Sequence, residues 1–348
     1  MSYITFQPKD YFNTKLYTGD GEPSGQAITG VGFQPDFVWT KERSSTNNHL
    51  LFDAVRGVTK AISSNLTSAE VTDAEYLTTF GTDGFTVGPS NDINEPSSTY
   101  ASWNWRAAGG QGSSNTDGSI NTVYTSVNTT SGVSISQYVG TGSNATVGHG
   151  LGVIPQMIML KNTSASDHWI VYHHKMDSSA PEDKYVRLNQ AQAFADFDMW
   201  QDTAPTNQVF SISTNGAVNT SGNNFIAYCF AEKKGFSKFG SYHGTSSADA
   251  PYVYTGFTPA FVLIKGASTT DWNLYDNKRL GYNGGDAPLF PNLTNAESTD
   301  YGRIDFLSNG FKIRTTNAQV NNNNTTQIYM AFAEAPLVSS NGVPAVAR

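Results

Sequence analysis

The sequence predicts an all-β protein of three tandem β-sandwich, jelly-roll-like modules related by an internal repeat. The first observation behind this prediction is a stretch that occurs three times, at residues 32–41, 152–161 and 256–265. Each copy reads glycine, an apolar residue, any residue, proline, any residue, and a mainly apolar run that ends in lysine. The second observation is a later segment of each unit in which large apolar residues alternate, as in a strand with one face on a core.

The repeated stretch and the apolar run that follows it predict a β-hairpin in each unit. The second run begins about 12 to 14 residues after the proline, and the connection between the two runs is polar and turn-forming. The second runs are residues 49–53, 168–172 and 271–276. A Tyr-x-Gly signal opens the units at Tyr17, Tyr138 and Tyr242, and the alternating closing strands are centred on residues 101–105, 226–230 and 328–332. The dipeptides Asp83-Gly84, Asn215-Gly216 and Asn309-Gly310 are interpreted as equivalent turns, since glycine supplies a positive φ.

The repeat spacing divides the chain into four segments. We expect a docked N-terminal segment with the first module, a linker rich in Gly, Ser, Asn and Thr, and two further modules, at residues 1–108, 109–132, 133–236 and 237–348. Units of this size are long enough to bury cores of their own, which favours tandem domains over a stacked solenoid.

Four smaller segments carry predictions of their own. The aromatic lead-in, residues 1–16, is expected to dock on the first unit or a neighbouring subunit. Residues 67–76 are the best helix candidate in the first half, Val123-Tyr124 indicates an edge strand within the linker, and residues 321–324 are interpreted as an exposed loop tip.

Composition narrows the class of protein. The chain is 38% hydrophobic but only 14% charged, with a net charge of −8 and no cluster of Lys and Arg, so nucleic acid and anionic membrane are poor partners. Its apolar runs are too short for a membrane helix, and the first residues lack the features of a signal peptide, so we expect synthesis in a cytosol without secretory export. Cys229 is the only cysteine, which excludes a disulfide framework.

Two polar groupings are candidates for chemistry. Asp167, His168, His173, His174 and Asp177 contain good metal ligands, but the third unit has no matching ligand set, so we expect no metal and no cofactor here. The Asp-x-x-Arg pattern recurs at Asp53 to Arg56 and at Asp276 to Arg279. That spacing favours a structural ion pair, with a polar ligand pocket as the alternative.

No catalytic site is predicted. The sequence holds no nucleophile elbow, phosphate loop or dinucleotide fingerprint. A glycosidase would need a carboxylate pair. The acids that could supply one do not repeat between units; they are Asp92, Glu95, Asp183, Asp196 and Asp198. Five aromatic residues in polar connections could instead stack on sugar rings, although local packing is the more economical interpretation. They are Trp200, Tyr252, Tyr254, Tyr282 and Tyr301.

Several long motifs resemble a family of tailed-bacteriophage virion proteins, often labelled tail fibre or tail protein. The motifs that carry the resemblance are residues 32–56, 147–155, 228–232, 235–242 and 328–337. The resemblance spans nearly the whole chain and implies a virion location. It implies no catalytic residues.

The resemblance and the composition together predict a non-enzymatic structural component of a virion that is assembled in the host cytoplasm. The first hypothesis is a tail-fibre or receptor-binding protein for host attachment, which touches other virion proteins through its N-terminal segment and binds host cell-surface glycan through module loops. The alternative is a capsid decoration, head-fibre or collar protein with purely structural contacts, and a polysaccharide-degrading tail enzyme is a distant third. Because virion fibres and decorations are usually symmetric assemblies, we expect a homo-oligomer, with a homotrimer favoured.

Overall fold

The computed structural model describes residues 6–279, 283, 287–298 and 302–336. It confirms the all-β prediction, since strands and short connections make up most of these residues. We call residues 6–108 repeat 1, residues 109–236 repeat 2 and residues 237–336 repeat 3, after the sequence repeat.

The strands of the described residues are numbered in chain order. Those of repeat 1 are β1 (Phe12–Thr18), β2 (Gln26–Thr29), β3 (Phe37–Glu42), β4 (His49–Asp53), β5 (Lys60–Ser63), β6 (Val71–Thr72), β7 (Leu77–Gly81), β8 (Gly84–Val87) and β9 (Thr99–Trp105). Those of repeat 2 are β10 (Tyr124–Asn128), β11 (Val133–Val139), β12 (Ala145–Gly148), β13 (Met157–Asn162), β14 (Ile170–His173), β15 (Lys184–Arg187), β16 (Ala195–Asp196), β17 (Val209–Ile212) and β18 (Asn224–Phe230). Those of repeat 3 are β19 (Ser237–His243), β20 (Tyr252–Tyr254), β21 (Phe257–Gly266), β22 (Asn273–Asp276), β23 (Ile304–Leu307), β24 (Gly310–Ile313) and β25 (Thr326–Pro336).

The helical elements of the described residues are short. They are α1 (Asn91–Asn94), α2 (Gly216–Asn219) and α3 (Ala318–Asn321), with 3-10 turns at Pro8–Asp10 and Pro181–Asp183. Each α-helix begins after a side chain that accepts a hydrogen bond from the backbone two residues on, as an N-cap does. The capping residues are Ser90, Asn215 and Asn317.

The three opening tyrosines all hold these helices in place. The hydroxyls of Tyr17, Tyr138 and Tyr242 donate to the carbonyl oxygens of Ile93, Val218 and Val320, at 2.9, 2.6 and 2.6 Å. The last residue of each helix is a fully buried asparagine at position 94, 219 or 321. The interpretation of residues 321–324 as an exposed loop tip is therefore wrong at its first residue, because the Asn321 side chain bonds the backbone of residues 245, 247 and 315.

Two other local predictions are wrong. Residues 67–76 form no helix; they contain β6 and a turn, as their weak periodicity allows. Asn215-Gly216 is not equivalent to the other two Gly turns, because it begins α2, whereas Asp83-Gly84 and Asn309-Gly310 connect β7 to β8 and β23 to β24. An Asn-Gly pair fits a turn and a helix N-cap equally well.

The main sheet of every repeat has the same antiparallel order, in which the first strand, the closing strand and the two hairpin strands follow one another. The orders are β1-β9-β3-β4, β11-β18-β13-β14 and β19-β25-β21-β22. The predicted hairpins and closing strands are thereby confirmed. The predicted edge strand at Val123-Tyr124 is confirmed as β10, which pairs with β11 at the edge of its sheet.

The closing strands are buried on both faces, not on one as the alternation predicted. In β3, Phe37 and Trp39 face a large hydrophobic cluster that contains residues of all three repeats, while Val38 faces a second cluster with Phe85 of β8. In β21, Phe261 joins the large cluster and the alternate residues join a separate cluster of repeat 3. The shared cluster explains why both faces are apolar.

Three equivalent aromatic residues meet inside the shared cluster. Trp105, Phe230 and Phe332 close the alternating segments of the three repeats, and their ring centroids are 5.6, 6.1 and 6.4 Å apart. Phe12 stacks on Phe332 at 5.2 Å, and Phe6 packs edge-on against Phe236 at 5.4 Å. The lead-in is therefore docked, as predicted, and it contacts Trp105 of repeat 1, Phe236 of repeat 2 and Phe332 of repeat 3. Tyr3 lies outside the described residues.

The repeats also contact one another in a closed cycle. The amide N–H of Glu70 donates to the Thr163 carbonyl, that of Phe194 to the Ala267 carbonyl, and that of Glu297 to the Arg43 carbonyl, at 3.0, 3.1 and 2.8 Å. Each acceptor lies two residues after the lysine that ends the repeated stretch. Repeat 1 thus bonds repeat 2, repeat 2 bonds repeat 3, and repeat 3 bonds repeat 1, which closes a ring within one chain.

Two further bonds between repeats run in the opposite direction. The indole N–H of Trp169 in repeat 2 donates to the Ser63 carbonyl of repeat 1, and that of Trp272 in repeat 3 donates to the Arg187 carbonyl of repeat 2, both at 2.9 Å. His49 takes the equivalent position in repeat 1. Burial lowers the pKa of the His49 imidazole well below its usual value, and the Phe290 carbonyl only partly opposes that shift.

Candidate functional site

The first Asp-x-x-Arg pair is a buried junction between repeats. Asp53 and Arg56 form an ion pair of 2.5 Å, and neither side chain is accessible to solvent. The Tyr228 hydroxyl of repeat 2 donates to the same carboxylate at 2.6 Å, and Glu70 pairs with Arg56 at 3.2 Å. Every partner is a group of the protein, so this arrangement fits the structural interpretation.

The second pair does the same at the junction of repeats 3 and 1. Asp276 and Arg279 form an ion pair of 2.6 Å, and the indole N–H of Trp103 donates to Asp276 at 3.0 Å. The guanidinium of Arg279 also lies over the indole ring of Trp103, 5.9 Å from its centroid, which is within the range of a cation–π interaction. Trp103 and Tyr228 occupy equivalent strand positions, so the two pairs are related by the repeat.

The His and Asp cluster is divided among structural contacts. His173 is buried, and its Nε2 lies 3.1 Å from the Tyr329 carbonyl; His174 Nε2 lies 2.9 Å from the Phe239 carbonyl. Burial lowers the pKa of His173 to about 3, so its ring is neutral at physiological pH. His168 contacts Asn189 instead. Within the described part of the chain, no group of three or more His, Cys, Asp or Glu side chains is placed to hold a metal ion.

Three of the five carboxylates considered for glycoside hydrolysis have separate partners. Asp196 pairs with Lys184 at 2.7 Å, and Asp92 accepts the Tyr76 hydroxyl at 2.9 Å. Asp198 accepts the backbone N–H of Gln201 at 2.6 Å, as in a turn. These contacts give Asp92, Asp196 and Asp198 local roles, and none of them pairs these three with one another as glycoside hydrolysis would need.

The three lysines that end the repeated stretch were not singled out from the sequence as site candidates. Each is fully buried, and its ammonium donates to carbonyl oxygens of the hairpin loop that follows; these lysines are Lys41, Lys161 and Lys265. Burial lowers the pKa of Lys41 and Lys161 to about 8 and that of Lys265 to about 7. Their recurrence in every copy was the available signal, and their contacts indicate a structural role in closing the loops.

Cys229 is buried on the closing strand of repeat 2, and burial raises the pKa of its thiol. A buried thiol of raised pKa is a poor nucleophile. This environment agrees with a structural role for the residue.

One cavity of about 200 Å³ lies among the described residues where β1 meets β21 and β25, lined in part by Phe12, Lys278 and Glu334. Pockets for small organic ligands are usually about 300–1,000 Å³. Lys278 and Glu334 already pair with each other at 3.3 Å. The cavity is therefore a weak candidate for a binding site.

The five candidate stacking aromatics fall into three groups. Trp200 is buried, with an indole N–H that donates to the Lys184 carbonyl, so packing explains it. Tyr252 and Tyr254 are exposed, at 43% and 51%. Tyr282 and Tyr301 lie outside the described residues.

Tyr252 and Tyr254 form the best-defined surface candidate, which we call the tyrosine face. They lie on β20, an edge strand of the outer sheet β20-β24-β23, and the residue between them, Val253, is buried. Alternate residues of a strand share one side, so both tyrosines point outward about 7 Å apart. The Tyr252 hydroxyl donates to the Asn309 carbonyl at 3.2 Å, which orients one of the two rings.

Charged side chains surround the tyrosine face in balanced pairs. Lys312 is directly opposite Tyr252 in the strand pairing, and it forms an ion pair of 2.5 Å with Asp249. Asp305, opposite Lys312 on the next strand, pairs with Arg314. Among the described residues beside these tyrosines, two acids and two bases balance each other in charge.

The tyrosine face is specific to repeat 3. Val253, Ile28 and Val147 each pair with a buried phenylalanine in the outer sheet of their repeat, which fixes the alignment. In that alignment Tyr252 corresponds to Ala27 and Thr146, and Tyr254 corresponds to Thr29 and Gly148. These correspondences were not identified from the sequence alone. The fold therefore does not require aromatic residues at these positions.

The described residues contain no helix that is long and apolar enough to span a membrane. No curated protein matches the chain. A family model described as a domain of unknown function, DUF7483, matches residues 7–336, which is nearly the whole chain. The chain therefore belongs to the DUF7483 family.

Proposed function

We propose that this chain is a non-enzymatic structural component of a bacteriophage virion, exposed on the particle as a tail-fibre or receptor-binding protein for host attachment. The observation that carries the proposal is the tyrosine face, where two exposed aromatic residues replace small residues of the other repeats. Large exposed aromatics on an edge strand are a liability for aggregation, so their presence favours a binding role. The resemblance to virion proteins supports the location on a phage particle, and the tyrosine face supports a contact with the host surface.

We also propose that the chain folds as three tandem β-sandwich modules, jelly-roll-like in layering, that form one rigid ring. The support is a common strand order, an outer sheet packed on each main sheet, a closed cycle of backbone bonds between repeats, and two indole bonds between repeats. Heterologous contacts that close after three copies make a stable ring. Such a ring would present the outer sheet of repeat 3 on a fixed support.

A capsid decoration, head-fibre or collar protein is the second candidate. It is favoured by the extent of the contacts between repeats, which engage the hairpin loops that otherwise would be free to bind a receptor. A polysaccharide-degrading tail enzyme remains the weakest candidate, since three of the five candidate carboxylates have separate local partners.

Adsorption of phage particles to host cells tests the proposal. Particles that carry the double variant Tyr252→Ala and Tyr254→Thr, which copies the residues of repeat 1, should adsorb at least several-fold more slowly than wild-type particles. Phe197→Ala, at another exposed aromatic residue of 53% exposure, is the matched control and should adsorb normally. Equal adsorption by all three particles would contradict an attachment role for this face.

A further inference from the structure

We propose that the tyrosine face binds an uncharged pyranose unit of a cell-surface glycan. This inference rests on the proposed attachment function and names the class of ligand. The shape, the hydrogen-bonding groups and the charge of the surface around Tyr252 and Tyr254 support this class of ligand.

The two rings provide an apolar surface of the size of a sugar. They lie on one side of β20, about 7 Å apart by the strand repeat, and Tyr252 and Tyr254 are 43% and 51% exposed. The face of an aromatic ring is electron-rich, so it attracts the weakly positive C–H groups that one side of a pyranose presents. A pair of exposed aromatic rings therefore favours a sugar ring over a polar peptide.

The groups beside the rings fit hydroxyls. Lys312 and Asp249 form a pair at the side of Tyr252, with Asp249 86% exposed, so a donor and an acceptor stand together at the edge of the ring. Adjacent hydroxyls of a sugar can accept from such an ammonium and donate to such a carboxylate at the same time. The aromatic rings can therefore contact the C–H face of a sugar unit, and the Lys312–Asp249 pair can bond its hydroxyls.

The charge of the site favours an uncharged ligand. Asp249 and Asp305 balance Lys312 and Arg314, so no unpaired cation is present in this set to hold a sialic or uronic acid. The whole chain carries a net charge of −8, which also opposes an acidic glycan. We expect selectivity for neutral sugars over acidic ones.

Saturation-transfer NMR on the purified full-length chain tests the ligand class, with glucose, galactose, N-acetylglucosamine and their short oligomers as neutral probes and sialyllactose as the acidic probe. At least one neutral probe should bind. The double variant Tyr252→Ala and Tyr254→Thr should weaken its affinity about tenfold or more, since two ring contacts are lost. Asp249→Asn should weaken binding to a smaller extent, and Phe197→Ala should leave it unchanged.

Five outcomes are informative. No binding of any neutral probe, binding that the double variant does not weaken, or stronger binding of sialyllactose would each overturn the inference. Thermal melting of every variant establishes that it is folded, and the residues of repeat 1 at these positions make the double variant compatible with the sheet. If the double variant slows phage adsorption although no sugar binds, the attachment function stands and the ligand class is wrong. If sugar binds but the protein is absent from the particle, the ligand class stands and the attachment function is wrong.

Discussion

Tyr228→Phe tests whether the junctions between repeats stabilise the fold. The substitution removes one hydroxyl that donates to Asp53 at 2.6 Å in a fully buried site. It keeps the ring contacts with Phe37 and Trp169, at 4.4 and 6.2 Å. A hydrogen bond to a charged group contributes about 1.5–3 kcal/mol, and because Arg56 still pairs with the carboxylate, we expect a loss of about 2 kcal/mol in the free energy of unfolding.

Tyr138→Phe is the matched control for this prediction. It also removes a buried tyrosine hydroxyl with a 2.6 Å bond, but the acceptor is the neutral Val218 carbonyl within repeat 2. Such a bond contributes about 0.5–1.5 kcal/mol. Urea unfolding followed by intrinsic fluorescence measures both variants. A loss below about 0.5 kcal/mol for Tyr228→Phe, or a loss no larger than that of the control, would refute the argument from the charged junction.

Three further predictions follow from buried groups and from the ring. Phe261→Ala should cost about 3–5 kcal/mol, since Phe261 contacts Trp105 and Phe332 in the shared cluster; an unchanged melting temperature would remove Phe261 from the core. Stability should rise with pH from about 7 towards 10, because Lys265 has a folded pKa of about 7 against about 10.4 unfolded, so the unfolded chain binds more protons in that window. Lys265→Met should reduce the rise of unfolding free energy with pH, measured by urea titrations at pH 6.5, 8 and 9.5. An unaltered rise would contradict the lowered pKa of Lys265. The predicted homotrimer is checked by light scattering, where a monomer mass at micromolar concentration would contradict it.

The hairpins and closing strands could be predicted because their signals are local. Alternating apolar residues and polar turn residues define a strand pair without reference to the rest of the chain. The short helices α1, α2 and α3 were missed because four residues are too few to show a helical period. Asn215 also fits a turn as well as an N-cap. The burial of both faces of β9 could not be read from its sequence, since alternation is expected wherever one face is buried.

The contacts between repeats carry almost no sequence signal. Most use backbone groups, such as the Glu70 N–H and the Thr163 carbonyl, which every residue possesses. The Asp-x-x-Arg pairs were recognised, but their cross-repeat partners Tyr228 and Trp103 are distant in the chain. The tyrosine face was among several aromatic candidates, and only the structure separates the exposed Tyr252 from the buried Trp200.

The position of the protein on the intact particle tests the attachment account most directly. Antibody-labelled electron microscopy of purified phage particles would show it, with particles of a deletion strain as the control. We predict label at the tail tip or on the tail fibres. Label spread over the capsid shell would contradict the account and support the decoration protein, and particles without label would contradict both.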